Sequence, residues 1–190
     1  MALTTWRSGT ALNSPVYLDA CVLVGATVSK HRLYKQTVEV IGEVLASGAT
    51  ILVSLLAVQE SLWALASLSY YDLFGHRGNP AFTKKTYLKH CDKIFAKYGD
   101  RMGAVHSMVG AWTEAGVPVA WVAKTDSDSL RVSDLTPRYM REWRLTPADA
   151  AHLALAKTYA RTFITADSHF KVVAQSGLID ELVVVHLTGA

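Results

Sequence analysis

Four carboxylates stand where the strands and helices suggested by this sequence should meet. Asp19 and Asp167 each close a short strand-like run. Glu60 interrupts a long apolar stretch, and Asp149 lies in the first turn of a helical pattern. Carboxylates that converge repel one another and raise each other's pKa unless cations hold them together. Because carboxylate oxygens suit Mg²⁺ or Mn²⁺ better than Zn²⁺, the pattern predicts a site for one of those two cations.

Each of these acids also has a simpler explanation when it is taken alone. Asp19 and Asp167 could cap the helices that follow them. Asp149 falls at the third helical position if Thr146 is the cap, which is an ordinary place for an acid. Glu60 lies too far into its helix to cap it, and its apolar neighbours predict burial, so it would need a salt bridge to Lys or Arg. One shared site explains all four acids more economically than four coincidences.

Short apolar runs alternate with helical patterns along the chain. We expect strands at Val16–Leu18, Thr50–Val53, Val117–Val122, Phe163–Thr165 and Leu182–Leu187. We expect helices at His31–Ala46, from a cap at Ser54 to about Ser69, and at Ala81–Tyr98, Met102–Ala115 and Pro147–Ala160. This alternation predicts an α/β fold with a central, mainly parallel sheet of about five strands and helices on both faces. In such sheets a ligand binds at the carboxyl ends of the strands, where Asp19 and Asp167 would lie.

The composition is that of a folded globular protein. The chain has 190 residues, of which 51% are hydrophobic and 18% charged, and its net charge of +3 permits an anionic partner without requiring one. We expect a single domain over residues 1–190, with a turn at Tyr71–Pro80 rather than a linker. The first fifteen residues lack the apolar core of a signal peptide, and Glu60 interrupts the most apolar window. We therefore expect a cytoplasmic protein without a membrane span.

Several other kinds of site are disfavoured by the motifs. The phosphate-binding patterns GxxxxGK(S/T) and GxGxxG and the zinc pattern HExxH do not occur in the sequence. Cys21 and Cys91 make no disulfide framework, and we expect Cys21 to be a buried thiol rather than a nucleophile. His152, one turn past Asp149, is expected to pack or to orient a carboxylate. The core is expected to include Trp63, Trp112 and Trp121.

The blocks around the four acids resemble those of PIN-domain ribonucleases, especially the small VapC-type toxins of bacterial and archaeal toxin–antitoxin pairs. The matching blocks are Tyr17–Val24 with Asp19, Ser54–Glu60, Pro147–Ala156 with Asp149, and Phe163–Phe170 with Thr165 and Asp167. They occur in the family's order and span nearly the whole chain. The resemblance implies a PIN-like three-layer fold.

The same resemblance implies an activity. It implies a metal-dependent endoribonuclease in which Mg²⁺ or Mn²⁺ makes hydroxide available for in-line hydrolysis of an RNA phosphodiester bond. The implied catalytic and metal-binding residues are Asp19, Glu60, Asp149 and Asp167, with Thr165 in a supporting role. A homodimer and a cognate antitoxin, whose carboxy-terminal segment occupies the acidic groove, are implied as well. Two alternatives stay open: a non-catalytic PIN-like module that binds RNA or protein, and a PIN nuclease that acts in RNA processing or on DNA.

The chain departs from the family pattern at three places. Cys21 stands where the family often has Asn, Thr or Ser, which could alter the hydrogen bonding that orients Asp19. His169 replaces an acid that commonly precedes the Phe of the last block, which could weaken a second metal site. The segment Tyr70–Ala115 is long for a compact member of the family.

A row of lysines marks the predicted helix Ala81–Tyr98. Lys85, Lys89, Lys93 and Lys97 recur at every fourth residue. The opposite face, expected to pack on the core, consists of Leu88, Cys91, Phe95 and Tyr98. The row is either a solvated face or a surface on which Lys85, Lys89 and Lys93 bind RNA phosphates beside the acidic site.

Overall fold

One parallel sheet lies at the centre of the protein. In a computed structural model, which describes residues 2–75, 80–122, 126–176 and 181–189, six strands form this sheet. They are β1 (Ala2–Thr5), β2 (Val16–Leu18), β3 (Ile51–Ser54), β4 (Val119–Val122), β5 (Thr162–Thr165) and β6 (Val183–His186). Their order is β1-β6-β5-β2-β3-β4, and every neighbouring pair is parallel. Every residue of β2, β3 and β5 is buried, because both faces of the sheet are covered by helices.

Helices cover the sheet in two layers. The helices are α1 (Ala20–Thr27), α2 (Tyr34–Ala46), α3 (Leu55–Phe74), α4 (Lys84–Glu114), α5 (Asp126–Trp143), α6 (Pro147–Tyr159) and α7 (His169–Gln175). Alternate residues of the strands point to opposite faces. Val16, Leu18 and Ile164 therefore pack with α1 to α4, whereas Tyr17 and Phe163 pack with α5 to α7. The predicted α/β fold class is confirmed, and the arrangement is compatible with a PIN-like three-layer fold.

Some predicted elements are confirmed and others were missed. Ser54 caps α3 as expected, since its hydroxyl accepts a hydrogen bond from the Ala57 N–H at 3.0 Å. The sheet has six strands rather than about five, because β1 adds to the edge of β6. Its four residues include only one large apolar side chain, Leu3, which is too weak a pattern for a strand prediction. The sequence also shows no clear helical periodicity for α1, α5 and α7. Helix α1 is apolar all round, α5 contains Pro137, and α7 has only seven residues.

The segment between α3 and α4 differs from the prediction. The predicted turn at Tyr71–Pro80 begins later, because α3 continues to Phe74 and ends at Gly75, whose φ of 75° is readily adopted by glycine. Residues 76–79 of that predicted turn lie outside the described residues. The two helices predicted at Ala81–Tyr98 and Met102–Ala115 form the single element α4, whose backbone leaves helical geometry at Tyr98 (φ −129°, ψ 24°).

The predicted apolar face of the first half of α4 is wrong. Ile94 is fully buried, whereas Leu88 and Phe95 are 61% and 50% exposed. Met102 and Val105 in the second half of α4 are buried in the same core cluster as residues of α1 and α3. The departure from helical geometry at Tyr98 separates that half from Ile94. The prediction of three core tryptophans is also wrong in part, since Trp112 is buried but Trp63 and Trp121 are about half exposed.

None of the helices in the described ranges combines the length and the apolar character that crossing a bilayer requires.

Gly25 allows α1 to approach α2 closely. A Cβ atom at this position would lie 2.7 Å from Cγ2 and 3.1 Å from Oγ1 of Thr37, which is fully buried. The Thr37 hydroxyl is itself tied by hydrogen bonds to the Leu33 and Tyr34 carbonyl oxygens, so it has little freedom to move aside. The contact sets the position of α1, and therefore of Asp19 at its amino-terminal end.

We predict that Gly25→Ala lowers the free energy of unfolding by roughly 1–3 kcal/mol, because overpacking outweighs the higher helix propensity of alanine. The matched control is Gly42→Ala in α2, where an added Cβ would meet nothing within 4 Å. That variant should keep or raise stability by up to about 1 kcal/mol. Urea denaturation measures both, and an unchanged midpoint for Gly25→Ala would contradict the close approach.

Candidate metal site

The sheet topology brings the four predicted carboxylates to one place. From β2 the chain proceeds outward to β3 and β4 and then returns to β5 on the other side of β2, so its direction reverses between β2 and β5. Ligands of open α/β sheets bind at such a point. Asp19 directly follows β2, and Asp167 lies two residues beyond the end of β5. Glu60 in the second turn of α3 and Asp149 in the first turn of α6 complete the lining of a cleft of about 420 Å³, hereafter the acidic cleft.

Asp19 is the most buried of the four acids, with 6% of its surface exposed. Its Oδ1 accepts the Ala20 N–H at 2.7 Å, and its Oδ2 accepts the Thr165 hydroxyl at 2.5 Å and the Cys21 thiol at 3.2 Å. Burial raises the pKa of Asp19, even though His152 and these donors favour the charged form. A carboxylate in this position is therefore stabilised by a cation, or else takes up a proton more readily than usual.

Thr165 joins two of the acids. Its hydroxyl donates to Asp19 and accepts the backbone N–H of Asp167 at 3.0 Å. Thr165 is fully buried at the end of β5, so the hydroxyl is held in this orientation. The orientation of Asp19 is thus tied to the position of Asp167, and the supporting role of Thr165 in a metal site stays a prediction.

Glu60 pairs with His152, and not with the Lys or Arg of the simpler explanation. The Glu60 Oε2 and His152 Nε2 atoms lie 2.6 Å apart, and the same nitrogen is 3.9 Å from Asp19 Oδ1. Burial lowers the pKa of His152, but the hydrogen bond to Glu60 and the negative charge of Asp19 outweigh that effect and raise it overall. The two acids thus favour the protonated form of His152, which lies between them.

A chain of hydrogen bonds holds His152 from behind. Its Nδ1 lies 2.7 Å from the Tyr17 hydroxyl, which lies 2.7 Å from the Ser54 hydroxyl. Burial raises the pKa of Tyr17, so this residue stays a neutral phenol that can either donate to or accept from the imidazole. The chain therefore accommodates both the neutral and the charged form of His152. The sequence predicted an orienting role for His152 without this network, and its position one helical turn past Asp149 was the available signal.

Asp149, Asp167 and His169 form a second, more exposed group. His169 Nδ1 lies 3.3 Å from Asp167 Oδ1 and 3.9 Å from Asp149 Oδ2. Asp149 Oδ2 accepts the Thr146 hydroxyl at 2.7 Å, and Asp167 Oδ1 accepts the backbone N–H of His169 at 2.8 Å. Thr146 caps α6 as the simpler explanation proposed, with Asp149 at the third helical position, whereas Ser168 and not Asp167 holds the cap position of α7. Both acids line the acidic cleft.

The donor atoms of the two groups fit divalent cations. In the group of Asp19, Glu60 and His152, and again in that of Asp149, Asp167 and His169, one ligand atom per residue lies within 4.8 Å of the others. Carboxylate oxygens predominate, which is the donor set of Mg²⁺ and Mn²⁺. His169 takes the place of the acid that the resemblance led us to expect and offers an imidazole nitrogen there.

Cys21 is part of the scaffold of the cleft. Its thiol donates to Asp19, and its sulfur accepts the Ala166 N–H at 3.1 Å. Burial and the neighbouring Asp19 charge raise the pKa of Cys21 well above its ordinary value, so the thiolate form is disfavoured. A thiol at this position thus retains a donor to Asp19, where the family often has a hydroxyl or an amide.

The lysine row does not contribute to the acidic cleft. Lys85, Lys89 and Lys93 are exposed on α4, as predicted, but they are not among the described residues that line this cleft. Their assignment as RNA-binding residues stays a prediction.

Comparisons with known proteins leave the family of the chain open. No protein-family model matches it, and no curated protein matches it. A solved structure with some similarity is the crystal structure of VapBC2 from Rickettsia felis bound to a DNA fragment from their promoter. The two share 13% sequence identity with a TM-score of 0.45, over 90% of this chain and 97% of that one. A similarity at this level does not assign the chain to a family.

The raised pKa of His152 predicts how stability depends on pH in the metal-free protein. An imidazole whose folded pKa exceeds the unfolded value of about 6.5 stabilises the fold fully below that pH, and its contribution is lost as pH rises through the folded pKa. We therefore expect the free energy of unfolding of the parent, relative to His152→Gln, to decline as pH rises above about 6.5.

Urea denaturation in EDTA, from mildly acidic to mildly alkaline pH, measures this difference. Burial lowers the pKa values of His31 and His186, so these two residues change stability with pH in the opposite direction. Because both residues are present in the parent and in the variant, their contributions cancel in the comparison. If the free energies of unfolding of the two proteins depend on pH in the same way, the pKa of His152 is not raised in the folded protein.

Proposed function

We propose that the protein is a metal-dependent endoribonuclease that hydrolyses RNA phosphodiester bonds. The observation that carries the proposal is the convergence of Asp19, Glu60, Asp149 and Asp167 on one cleft at the carboxyl edge of the sheet, with Asp19 buried. A fold without a ligand here would gain stability by replacing a buried carboxylate with an apolar residue. The resemblance of the four sequence blocks to PIN-domain ribonucleases supports RNA as the substrate.

The residues of the cleft have distinct roles in this proposal. Asp19 and Glu60 hold a divalent cation, with Thr165 orienting Asp19 and His152 orienting Glu60. Asp149 and Asp167 hold a second cation or a water molecule at the more exposed end of the cleft. When bound, Mg²⁺ or Mn²⁺ supplies a water of lowered pKa and neutralises charge on the phosphoryl oxygens.

Two alternatives predict different behaviour from the same cleft. A PIN-like module that only binds RNA or protein would not cleave nucleic acid under any metal condition. A nuclease of DNA, or an enzyme of RNA processing, would cleave with metal but would prefer DNA or structured RNA over other substrates. The arrangement of carboxylates favours a nuclease over a binding module, because metal-supported hydrolysis uses all four acids and binding alone needs none of them.

We predict that Asp19→Asn abolishes cleavage, with a loss of more than about 100-fold, since removing even a residue that only orients a metal ligand typically costs about 10–100-fold. Thr165→Val, which removes an orienting hydroxyl, should fall within that smaller range. The matched control is Asp134→Asn, at an exposed acid on α5. A panel of structured and single-stranded RNAs, with DNA of the same sequences, is incubated with Mg²⁺, Mn²⁺ or EDTA.

Thermal unfolding separates lost catalysis from lost structure in these variants. Asp19→Asn removes a buried charge and almost no volume, so its Tm in EDTA should equal or exceed that of the parent. Full activity of Asp19→Asn, or cleavage by the parent in excess EDTA, would refute the proposed mechanism. Cleavage of DNA alone would move the assignment to the second alternative.

The resemblance of the sequence to PIN-domain toxins also suggests two protein partners. We propose a homodimer, and an antitoxin whose carboxy-terminal segment lies in the acidic cleft, where a basic side chain could pair with the carboxylates. Half-exposed apolar side chains on α3 and α4, among them Leu62, Trp63 and Phe95, provide contact area of the kind that a dimer buries. Light scattering should give the mass of two chains at tens of micromolar protein, and a monomer mass there would remove the dimer from the proposal.

A further inference from the structure

A second cleft continues from the acidic one. It has a volume of about 860 Å³ and lies between the segment that joins α1 to α2 and the point where α4 leaves helical geometry. His31 and Leu68 line both clefts, so the two form one continuous surface. We call the second the basic cleft, after Lys30, His31, Arg32 and Arg101 in its lining.

The charges of the basic cleft are only partly neutralised. Arg101 pairs with Asp72 at 2.8 Å. Lys30 and Arg32 are exposed, and neither forms an ion pair with an acid in the ranges that the structure describes. Asp100 is the remaining acid in the lining. The cleft therefore has excess positive charge directly beside four carboxylates, where a polyanion would otherwise be repelled.

The lining of the basic cleft also includes an aromatic ring and a planar cation in contact with each other. The guanidinium of Arg101 lies 4.4 Å from the centroid of the Tyr98 ring, so an aromatic and a planar cationic surface are held together in the lining. Both kinds of surface bind bases irrespective of sequence. Because bases are accessible in this way only in single strands, the combination favours single-stranded over duplex nucleic acid.

His31 stands at the junction of the two clefts as a hydrogen-bond donor. Its Nδ1 accepts the backbone N–H of Leu33 at 3.3 Å, which leaves the proton of a neutral imidazole on Nε2. Burial and the nearby charge of Arg32 lower the pKa of His31 and favour this neutral form. An N–H donor at the junction can bind a phosphate oxygen or a ribose hydroxyl of a strand that passes from one cleft to the other.

We propose that the basic cleft binds the segment of single-stranded RNA that flanks the scissile phosphate, with Lys30 and Arg32 contacting backbone phosphates. This inference rests on the proposed nuclease function for the position of the scissile bond. It assigns RNA binding to the segment that joins α1 to α2 instead of to the lysine row of α4.

Two matched double variants test the assignment. Lys30→Gln with Arg32→Gln removes two charges from the basic cleft, and Lys85→Gln with Lys89→Gln removes two from the lysine row. Glutamine keeps much of the stem of Arg32, whose Cγ lies near Gly189. Equal Tm values should confirm that both variants fold. Fluorescence anisotropy in EDTA measures the binding of a labelled single-stranded RNA over a range of salt concentrations, so the result does not depend on cleavage.

The basic-cleft variant should bind at least about tenfold more weakly at low salt, and its log–log salt slope should fall by about 1.4, or 0.7 for each of the two phosphates that the variant no longer neutralises. The lysine-row variant should retain the affinity and slope of the parent. Parent-like binding by the basic-cleft variant, an equally weakened affinity in both variants, or no RNA binding by the parent would each overturn the assignment.

The outcomes also separate this inference from the proposed function. RNA that binds through Lys30 and Arg32 but is not cleaved with Mg²⁺ or Mn²⁺ would support the docking surface and refute the nuclease. Metal-dependent cleavage that is unaffected in rate and affinity by the basic-cleft substitutions would support the nuclease and refute the docking surface.

Discussion

The burial of the Asp19 carboxylate is the constraint around which the rest of the site is arranged. A charged group in this position is costly unless donors or a cation compensate it. The protein provides the Ala20 amide and the Cys21 thiol from the start of α1 and the Thr165 hydroxyl from the end of β5. Burial still raises the pKa of Asp19, so these donors compensate only in part. Because part of the negative charge of Asp19 stays uncompensated, this carboxylate favours a bound cation, as the proposed chemistry requires.

His152 links two of the acids of the cleft to the buried hydroxyl groups behind them. It lies between Glu60 and Asp19, and a buried hydroxyl chain through Tyr17 and Ser54 supports its other nitrogen. Ser54 is also the cap of α3, the helix that carries Glu60. The residue that begins the helix and the network that orients its carboxylate are thus physically connected, and a change to either would shift the other.

The two clefts are complementary in charge. An acidic cleft that concentrates cations repels nucleic acid over distances comparable to the screening length of about 8–10 Å. The basic cleft begins within the same continuous surface, at His31, and extends away from the carboxylates toward Arg101. This arrangement places positive charge beside the carboxylates, whereas the lysine row, the more regular pattern in the sequence, lines neither of the two clefts. Spacing along a helix indicates that charges share a face, but not what that face adjoins.

The fold class and the convergence of the four acids were predictable from sequence patterns. Strand–helix alternation implies a parallel sheet, and the carboxyl ends of parallel strands share one edge, so acids that close two strands must lie near each other. The Ser54 cap was predictable for a related reason, because capping involves residues only three positions apart. These features depend on local pattern together with a general rule of topology. They needed no knowledge of which side chains meet across the fold.

Tertiary structure decided the features that depend on contacts between distant residues. Glu60 and His152 meet across 92 positions of sequence, a pairing that no local pattern indicates. In the first half of α4, Ile94 is the buried residue, whereas Leu88 and Phe95 are exposed. Strand β1 owes its existence to β6, whose edge supplies hydrogen bonds that its own four residues do not predict. Local periodicity identifies an element, but only packing against the other elements determines which of its faces is buried and what that face contacts.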